Sequence, residues 1–294
     1  MRVAFYYSND KGELPLIHTL SQGIRRHGDT NVTVLALQDF DAGQIAGVDT
    51  VFVARTLRLT KTVMDTCRDE GINFVYYDKG YIHRGWKTIN TRVYYRFSIN
   101  NFQPLDYFQR IPRPPDRWEE LNCKLRPRQS GKHIIFAGYS HKFADFYDIP
   151  LTEYAAHATN IIQVLQGLTQ KPIIYRARVT QTDYSSPIHN TTLSYGRRKI
   201  REELREAHAL VTFSSNAAVD ALMEGVPVFV LGPGIARPLS NPSLETLERP
   251  FFPSDKERFQ FFCDLAYCQW RMDEMENGEV WEHLKSVLYG SYVF

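Results

Sequence analysis

Short runs of β-branched and aromatic residues alternate with stretches of helical apolar spacing along most of the chain, and that alternation admits few folds. Parallel strands need a crossover connection, usually a helix, so repeated strand–helix–strand order builds parallel sheets with helices packed on them. In the first half the expected strands are 3–7, 32–37, 50–53, 74–77 and 93–98. Between them Leu14, Ile17, Leu20 and Ile24 recur at helical spacing before Gly28, and Leu59, Val63, Met64 and Cys67 do so before Gly71. A glycine after the last turn supplies the left-handed residue on which helices commonly end. From 108 to 132, Pro112, Pro114, Pro115, Pro127 and Gly131 break any periodicity, which predicts a linker. A second series follows, with strands at 133–137, 173–176, 209–213 and 226–231 and helices at 151–169, 197–208, 216–224, 256–269 and 273–288.

A chain of 294 residues is longer than one ordinary domain. The expected organisation is an N-terminal α/β domain over 1–107, the basic linker over 108–132, a C-terminal α/β domain over 133–270, and a closing helix over 271–294 that returns to the first domain. No apolar run approaches the roughly 20 residues that a spanning helix needs. The N-terminal apolar run is too short for a secretory signal, so the expected compartment is cytoplasmic, a host's cytoplasm if the source is a phage. Cys67, Cys123, Cys263 and Cys268 form no C-x-x-C pair and have no histidines at metal-binding spacing, which argues against a disulfide framework or structural metal.

The most informative segment runs from Ala209 to Val230, ALVTFSSNAAVDALMEGVPVFV. A buried strand ends in small hydroxyl and amide residues that open a helix, whose free N–H groups suit a phosphate. Gly225 then ends the helix and Pro227 precedes the next strand. This segment resembles the donor site of GT-B glycosyltransferases, capsule-type sugar transferases among them. The resemblance implies an α/β fold of two Rossmann-like domains facing a cleft. It also implies that Ser214, Ser215 and Asn216 meet the diphosphate of a nucleotide sugar, most simply a UDP-sugar, and that Asp220 meets the ribose. An aspartate stands where that family more often has the longer glutamate.

Other strand ends supply further candidates. Gly138 to Lys142 follows the first strand of the second half, and Ser140, His141 and Lys142 there suit the donor's phosphates or sugar. Arg176 and Arg178 close the next strand, where a guanidinium can neutralise a diphosphate leaving group. An inverting transfer needs a base for the acceptor hydroxyl, and Asp78 is the first choice and His83 the second, with Asp10 and Lys11 at the same rim. Asp39-Phe40-Asp41 has the form of a metal-binding D-x-D, but it follows the second strand and is short enough to arise by chance, so metal-independent transfer with no cofactor beyond the nucleotide sugar is expected.

Charge is unevenly spread. Residues 79–142 carry a net +9, whereas residues 243–294 carry a net -5. The basic stretch is interleaved with aromatics, the composition of a nucleic-acid surface. Lys79, Arg84, Arg113, Arg117, Arg126 and Arg128 are therefore expected at an anionic acceptor. If that acceptor is duplex DNA carrying 5-hydroxymethylcytosine, the chain resembles phage DNA glucosyltransferases. A surface or capsular polysaccharide is the alternative acceptor, and a non-catalytic module binding nucleic acid or sugar phosphates is the alternative from another class.

Overall fold

A computed structural model of the chain describes residues 1–8, 12–84, 93–105, 112–177, 188–194 and 199–290. The chain divides into two compact units: Met1–Leu121 together with Cys263–Phe294, and Asn122–Phe262. The second division falls inside the helix Asp255–Ala266, and the first lies within the stretch expected as a linker, whose helix Asp116–Glu120 belongs to unit 1.

Among the described residues of unit 1 the strands are β1 (Arg2–Tyr7), β2 (Asn31–Ala36), β3 (Thr50–Ala54), β4 (Asn73–Lys79), β5 (Tyr94–Ile99) and β11 (Gln269–Arg271), in the sheet order β11-β5-β4-β3-β1-β2. The pairs among β2, β1, β3 and β4 are parallel, while β5 pairs antiparallel with both β4 and β11. All five residues of β3 are buried, as a strand covered on both faces requires. One face of the sheet packs Phe5, Phe52, Tyr77 and Phe97 against Leu16, Leu20 and Ile24 of the helix Glu13–Arg26, and against Trp270, Met275, Trp281 and Leu284 of the C-terminal segment. The buried Asp29 carboxylate accepts hydrogen bonds from Trp281 Nε1 at 2.8 Å and Lys285 Nζ at 2.8 Å, which fastens the helix Glu279–Tyr289 to the unit.

Two differences from the sequence reading arise here. The helix expected over 273–288 is two helices, Met272–Asn277 and Glu279–Tyr289, because Gly278 takes the left-handed conformation at φ 93°. The helix expected over 256–269 ends at Ala266, and after a turn at Tyr267 and Cys268 the residue Gln269 already belongs to strand β11, which pairs with β5.

Unit 2 holds a parallel sheet of β6 (His133–Ala137), β7 (Ile173–Arg176), β8 (Thr191–Ser194), β9 (Ala207–Thr212) and β10 (Val228–Val230), in the order β10-β9-β6-β7-β8. Its core combines Ile134, Phe136, Val211 and Phe229 with Ile162 and Leu165 of the helix Leu151–Leu168. The edge strand β8 has no counterpart in the sequence reading, since its four residues TTLS carry little apolar signal. The helix expected over 197–208 is described only as Ile200–Leu204, and Ala207 and His208 already belong to β9. Among the described residues no helix is long and apolar enough to cross a membrane.

Candidate functional site

In unit 1 the candidate chemistry gathers on β4 and β5. Tyr76 and Asp78 are two residues apart on β4 and so share a face, and Arg96 of β5 stands opposite Asp78 in the antiparallel register. Tyr76 donates its hydroxyl to Asp78 Oδ2 at 3.0 Å, the Lys79 backbone N–H donates to Oδ1 at 2.8 Å, and Arg96 Nη2 lies 3.9 Å from Oδ2. Arg96 is buried. Its guanidinium donates to Gln103 Oε1 at 2.8 Å and to the Tyr81 hydroxyl at 3.2 Å, and sits over the rings of Phe102, Tyr76 and Tyr81 at 5.0, 5.1 and 5.4 Å. Burial, more than the neighbouring Asp78 charge, raises the Tyr76 pKa, so this hydroxyl stays a donor to the carboxylate. The arrangement is a carboxylate with 21% exposure, oriented from behind by a fixed cation and a fixed hydroxyl.

His83 adopts φ 51°, and its Nε2 lies 2.8 Å from the Leu121 carbonyl, a bond that holds the chain near the end of the helix Asp116–Glu120. Arg84 is exposed and Lys79 half-buried. Asp10 and Lys11 lie outside the described residues, as does Arg178. Asp41 caps the short helix Ala42–Ile45, accepting from Gly43 N at 2.7 Å, so the D-x-D carboxylate has a local structural task.

Among the described residues of the basic stretch, Arg96 and Arg117 are taken up inside unit 1, whereas Arg84, Lys124, Arg126, Arg128, Lys132 and Lys142 are exposed. Arg117 donates from Nη1 to Glu274 Oε1 at 2.7 Å and from Nη2 to Glu274 Oε2 at 3.3 Å, and lies 3.8 Å from the centre of the Trp270 ring. With that side chain 10% exposed and Glu274 4%, it is an internal ion pair of unit 1, not the phosphate-binding residue expected. Arg113 lies over Tyr267 at 5.4 Å, and its backbone N–H donates to Asp264 at 2.8 Å. In unit 2, Arg126 pairs with Glu224 at 2.9 Å and Arg128 donates to the Pro250 carbonyl at 3.2 Å. Arg96 also counts toward the +9, and it is buried.

The donor candidates of unit 2 stand at the carboxyl ends of β6, β7 and β9. Thr212, the last residue of β9, donates to the Ala137 carbonyl at 2.8 Å and accepts from Ser215 N at 3.2 Å, which sets the turn after β9 against the end of β6. Ser214 donates its one hydroxyl proton to the Pro233 carbonyl, so it holds a neighbouring loop. Ser215 Oγ accepts from Ala217 N at 3.2 Å and keeps its own proton to donate, while Asn216 starts the helix Ala217–Met223 with no side-chain cap. Of the three phosphate candidates, Ser215 and Asn216 retain donors suited to an anion.

Asp220 is buried and faces Arg201, whose Nε lies 3.3 Å from Oδ1, within a group that includes Glu224 and Arg126. The ribose contact expected of it competes with this ion pair. Arg176 donates to Glu203 at 2.7 Å, and Ser194 donates to the other oxygen of that carboxylate at 2.5 Å, so the charge expected at a leaving group is already balanced. Ser140 is buried and caps the helix His141–Phe146 by accepting from Phe143 N at 3.3 Å. Lys142 is exposed, and the side chain of His141 lies outside the described residues.

Sequence reasoning missed Tyr76, Arg96, Arg201 and Glu203. Tyr76 had a readable signal, a polar residue two positions from Asp78 in a strand, but the other three depend on pairing partners that only the fold brings together.

Comparison with known proteins agrees with this architecture. Residues 171–245 match the family described as "Putative glycosyltransferase (DUF6716)", a segment that contains Ser214, Ser215, Asn216 and Asp220. Among solved structures the chain is similar to the KpsC β-Kdo 2,4-transferase of Thermosulfurimonas dismutans, with 11% identity and a TM-score of 0.56 over 92% of each chain. The KpsC β-Kdo 2,7-transferase of the same organism aligns over 96% of this chain and 100% of its own, with 12% identity and a TM-score of 0.45. No curated protein matches the chain in sequence. The chain has the two-domain α/β fold of GT-B enzymes, and the family match supports a glycosyltransferase.

Proposed function

We propose that the chain transfers a sugar from a nucleoside-diphosphate sugar, UDP-sugars first among them, to a hydroxyl of a saccharide acceptor, with inversion and without a metal. The observation that carries this reading is the turn after β9, where Ser215 and Asn216 keep side-chain donors inside the segment that matches the glycosyltransferase family. In this reading Ser215 and Asn216 of unit 2 hold the diphosphate. Asp78 of unit 1 takes the proton of the acceptor hydroxyl as its oxygen bonds to the anomeric carbon, and the bond to the diphosphate breaks with its electron pair leaving on the nucleotide.

Duplex DNA with 5-hydroxymethylcytosine is the second reading for the acceptor. It rests on the net +9 of residues 79–142, and the internal placement of Arg96 and Arg117 weakens it. One assay tests both. The protein is incubated with UDP-, GDP- and CMP-sugars, with chelator present, against a panel of oligosaccharides and DNA with or without the modified base, and products are weighed by mass spectrometry. A sugar added to a saccharide supports the reading, a sugar added to DNA replaces its acceptor, and loss of activity on chelation overturns metal independence. Release of nucleotide from no donor in the panel removes the transferase.

A further inference from the structure

The carboxyl ends of β1, β3 and β4, three adjacent parallel strands, bring Ser8, Arg55, Tyr77 and Asp78 to one edge of the unit 1 sheet, and the helix after β1 adds Glu13. Arg55 adopts φ 71°, a left-handed conformation that suits glycine and strains a side chain of this size. Such strain persists where the surroundings impose it, and it concentrates at ligand-binding positions. Glu13 is 1% exposed and holds Ser8 through one oxygen, which accepts from Ser8 N and Oγ at 2.7 Å each. Its other oxygen lies 3.5 Å from Arg55 Nε and accepts no hydrogen bond among the described residues. The Tyr77 hydroxyl, on a residue that is 1% exposed, likewise makes no hydrogen bond among the described residues, although the charges of Glu13 and Arg55 both act on it. Arg55 itself keeps 22% of its side chain exposed.

The buried Tyr77 hydroxyl, a donor that makes no hydrogen bond among the described residues, stands with a guanidinium that solvent reaches, and the two match a ligand that brings oxygens. A guanidinium fits the two oxygens of a carboxylate or phosphate, and the tyrosine hydroxyl supplies a further donor. Burial raises the Glu13 pKa, opposed by the Ser8 hydrogen bonds and reinforced by the charge of Asp78. We propose that Arg55 and Tyr77, with Arg55 held by Glu13 and Glu13 held by Ser8, form an anion subsite that binds a carboxylate or phosphate of the acceptor, on the edge that carries Asp78. The proposal rests on the reading of Asp78 as the acceptor-side base.

The test uses the full chain and two probes, D-glucuronate for a sugar carboxylate and inorganic phosphate, titrated against wild type and Arg55→Gly by calorimetry and thermal melting. Wild type is expected to bind at least one probe, and the one that binds names the source of the anion. Arg55→Gly is expected to weaken that binding at least tenfold while melting at or above the wild-type temperature, since glycine relieves the left-handed strain. Arg55→Lys keeps the charge without the fork and is expected to fall between the two. A wild type that binds neither probe overturns the proposal. So does an Arg55→Gly protein that melts lower yet binds equally well, which makes Arg55 only the structural partner of Glu13. UDP titrated in parallel reports on unit 2, so failure of the donor reading is seen separately from failure of this subsite.

Discussion

Asp78 is oriented by Tyr76, the Lys79 N–H and Arg96, and each of these contacts makes its proposed role testable. Asp78→Asn keeps the shape of the side chain but removes its basicity. Turnover is expected to fall by about 10² to 10⁴, with nucleotide affinity unchanged. Tyr76→Phe removes one hydrogen bond from the carboxylate and leaves the ring in place, so a smaller loss in kcat is expected, about 3- to 10-fold, corresponding to a single hydrogen bond. If steady-state kinetics of either variant equal the wild type, Asp78 is not the base or Tyr76 does not orient it. Arg117 separates two roles by a stability measurement. Removing it with Arg117→Ala leaves the buried Glu274 with Arg271 alone, whose Nη2 lies 3.8 Å away, at an expected cost of about 1–3 kcal/mol in urea unfolding. A residue that bound phosphate at the surface would show almost none.

At the scale of elements, the helices Glu13–Arg26 and Met272–Asn277 approach so closely that a Cβ on Gly23 would lie 1.9 Å from the Met275 carbonyl oxygen. Alanine normally stabilises a helix interior by about 1 kcal/mol relative to glycine. Here Gly23→Ala is expected to reverse that sign and lower the unfolding midpoint. His283, on the helix Glu279–Tyr289, has its pKa pushed down to about 4, chiefly by burial and further by Arg113 and Arg117. The unfolded chain titrates this imidazole near pH 6.5, so between pH 6.5 and 4 the unfolded state binds more protons and stability falls as pH falls. His283→Gln is expected to flatten the decline measured by urea unfolding at pH 7 and pH 5, and an unchanged slope would remove His283 as its source. Asp29 acts lower on the scale. Burial opposes its charge, but hydrogen bonds from Lys285, Trp281 and the α-amino group of Met1 prevail and bring its pKa to about 2. Its stabilisation, about 2 kcal/mol, is present above pH 4 and is lost as pH falls toward 2. Apolar periodicity made the helix Glu13–Arg26 and the strands β1, β3, β4, β6 and β9 legible in the sequence. It did not reveal β11 or the break at Gly278, because both depend on a sheet edge and a neighbouring helix far away in the chain.

For the whole molecule, the alternation of strands and helices was enough to anticipate two α/β units, while charge counted along the sequence does not say which cations reach the surface. Opposite charges distant in sequence meet in the fold, as Arg117 meets Glu274 and Arg126 meets Glu224, so the net charge of a segment is not the charge of a surface. The turn Ser214-Ser215-Asn216 was legible because a strand end, a polar turn and a helix start are contiguous. The support behind Asp78 was not, because Arg96 comes from another strand. The central claim is that unit 2 binds a nucleoside diphosphate through Ser215 and Asn216. Calorimetric titration of UDP, GDP and CMP into the wild type and the Ser215→Ala/Asn216→Ala variant tests it most directly. The account predicts saturable binding of UDP or GDP, with the monophosphate CMP weaker, and a loss of about 1–3 kcal/mol in the double variant, the value of the lost phosphate hydrogen bonds. Heat flat for every nucleotide, or equal affinity in the variant, would contradict it.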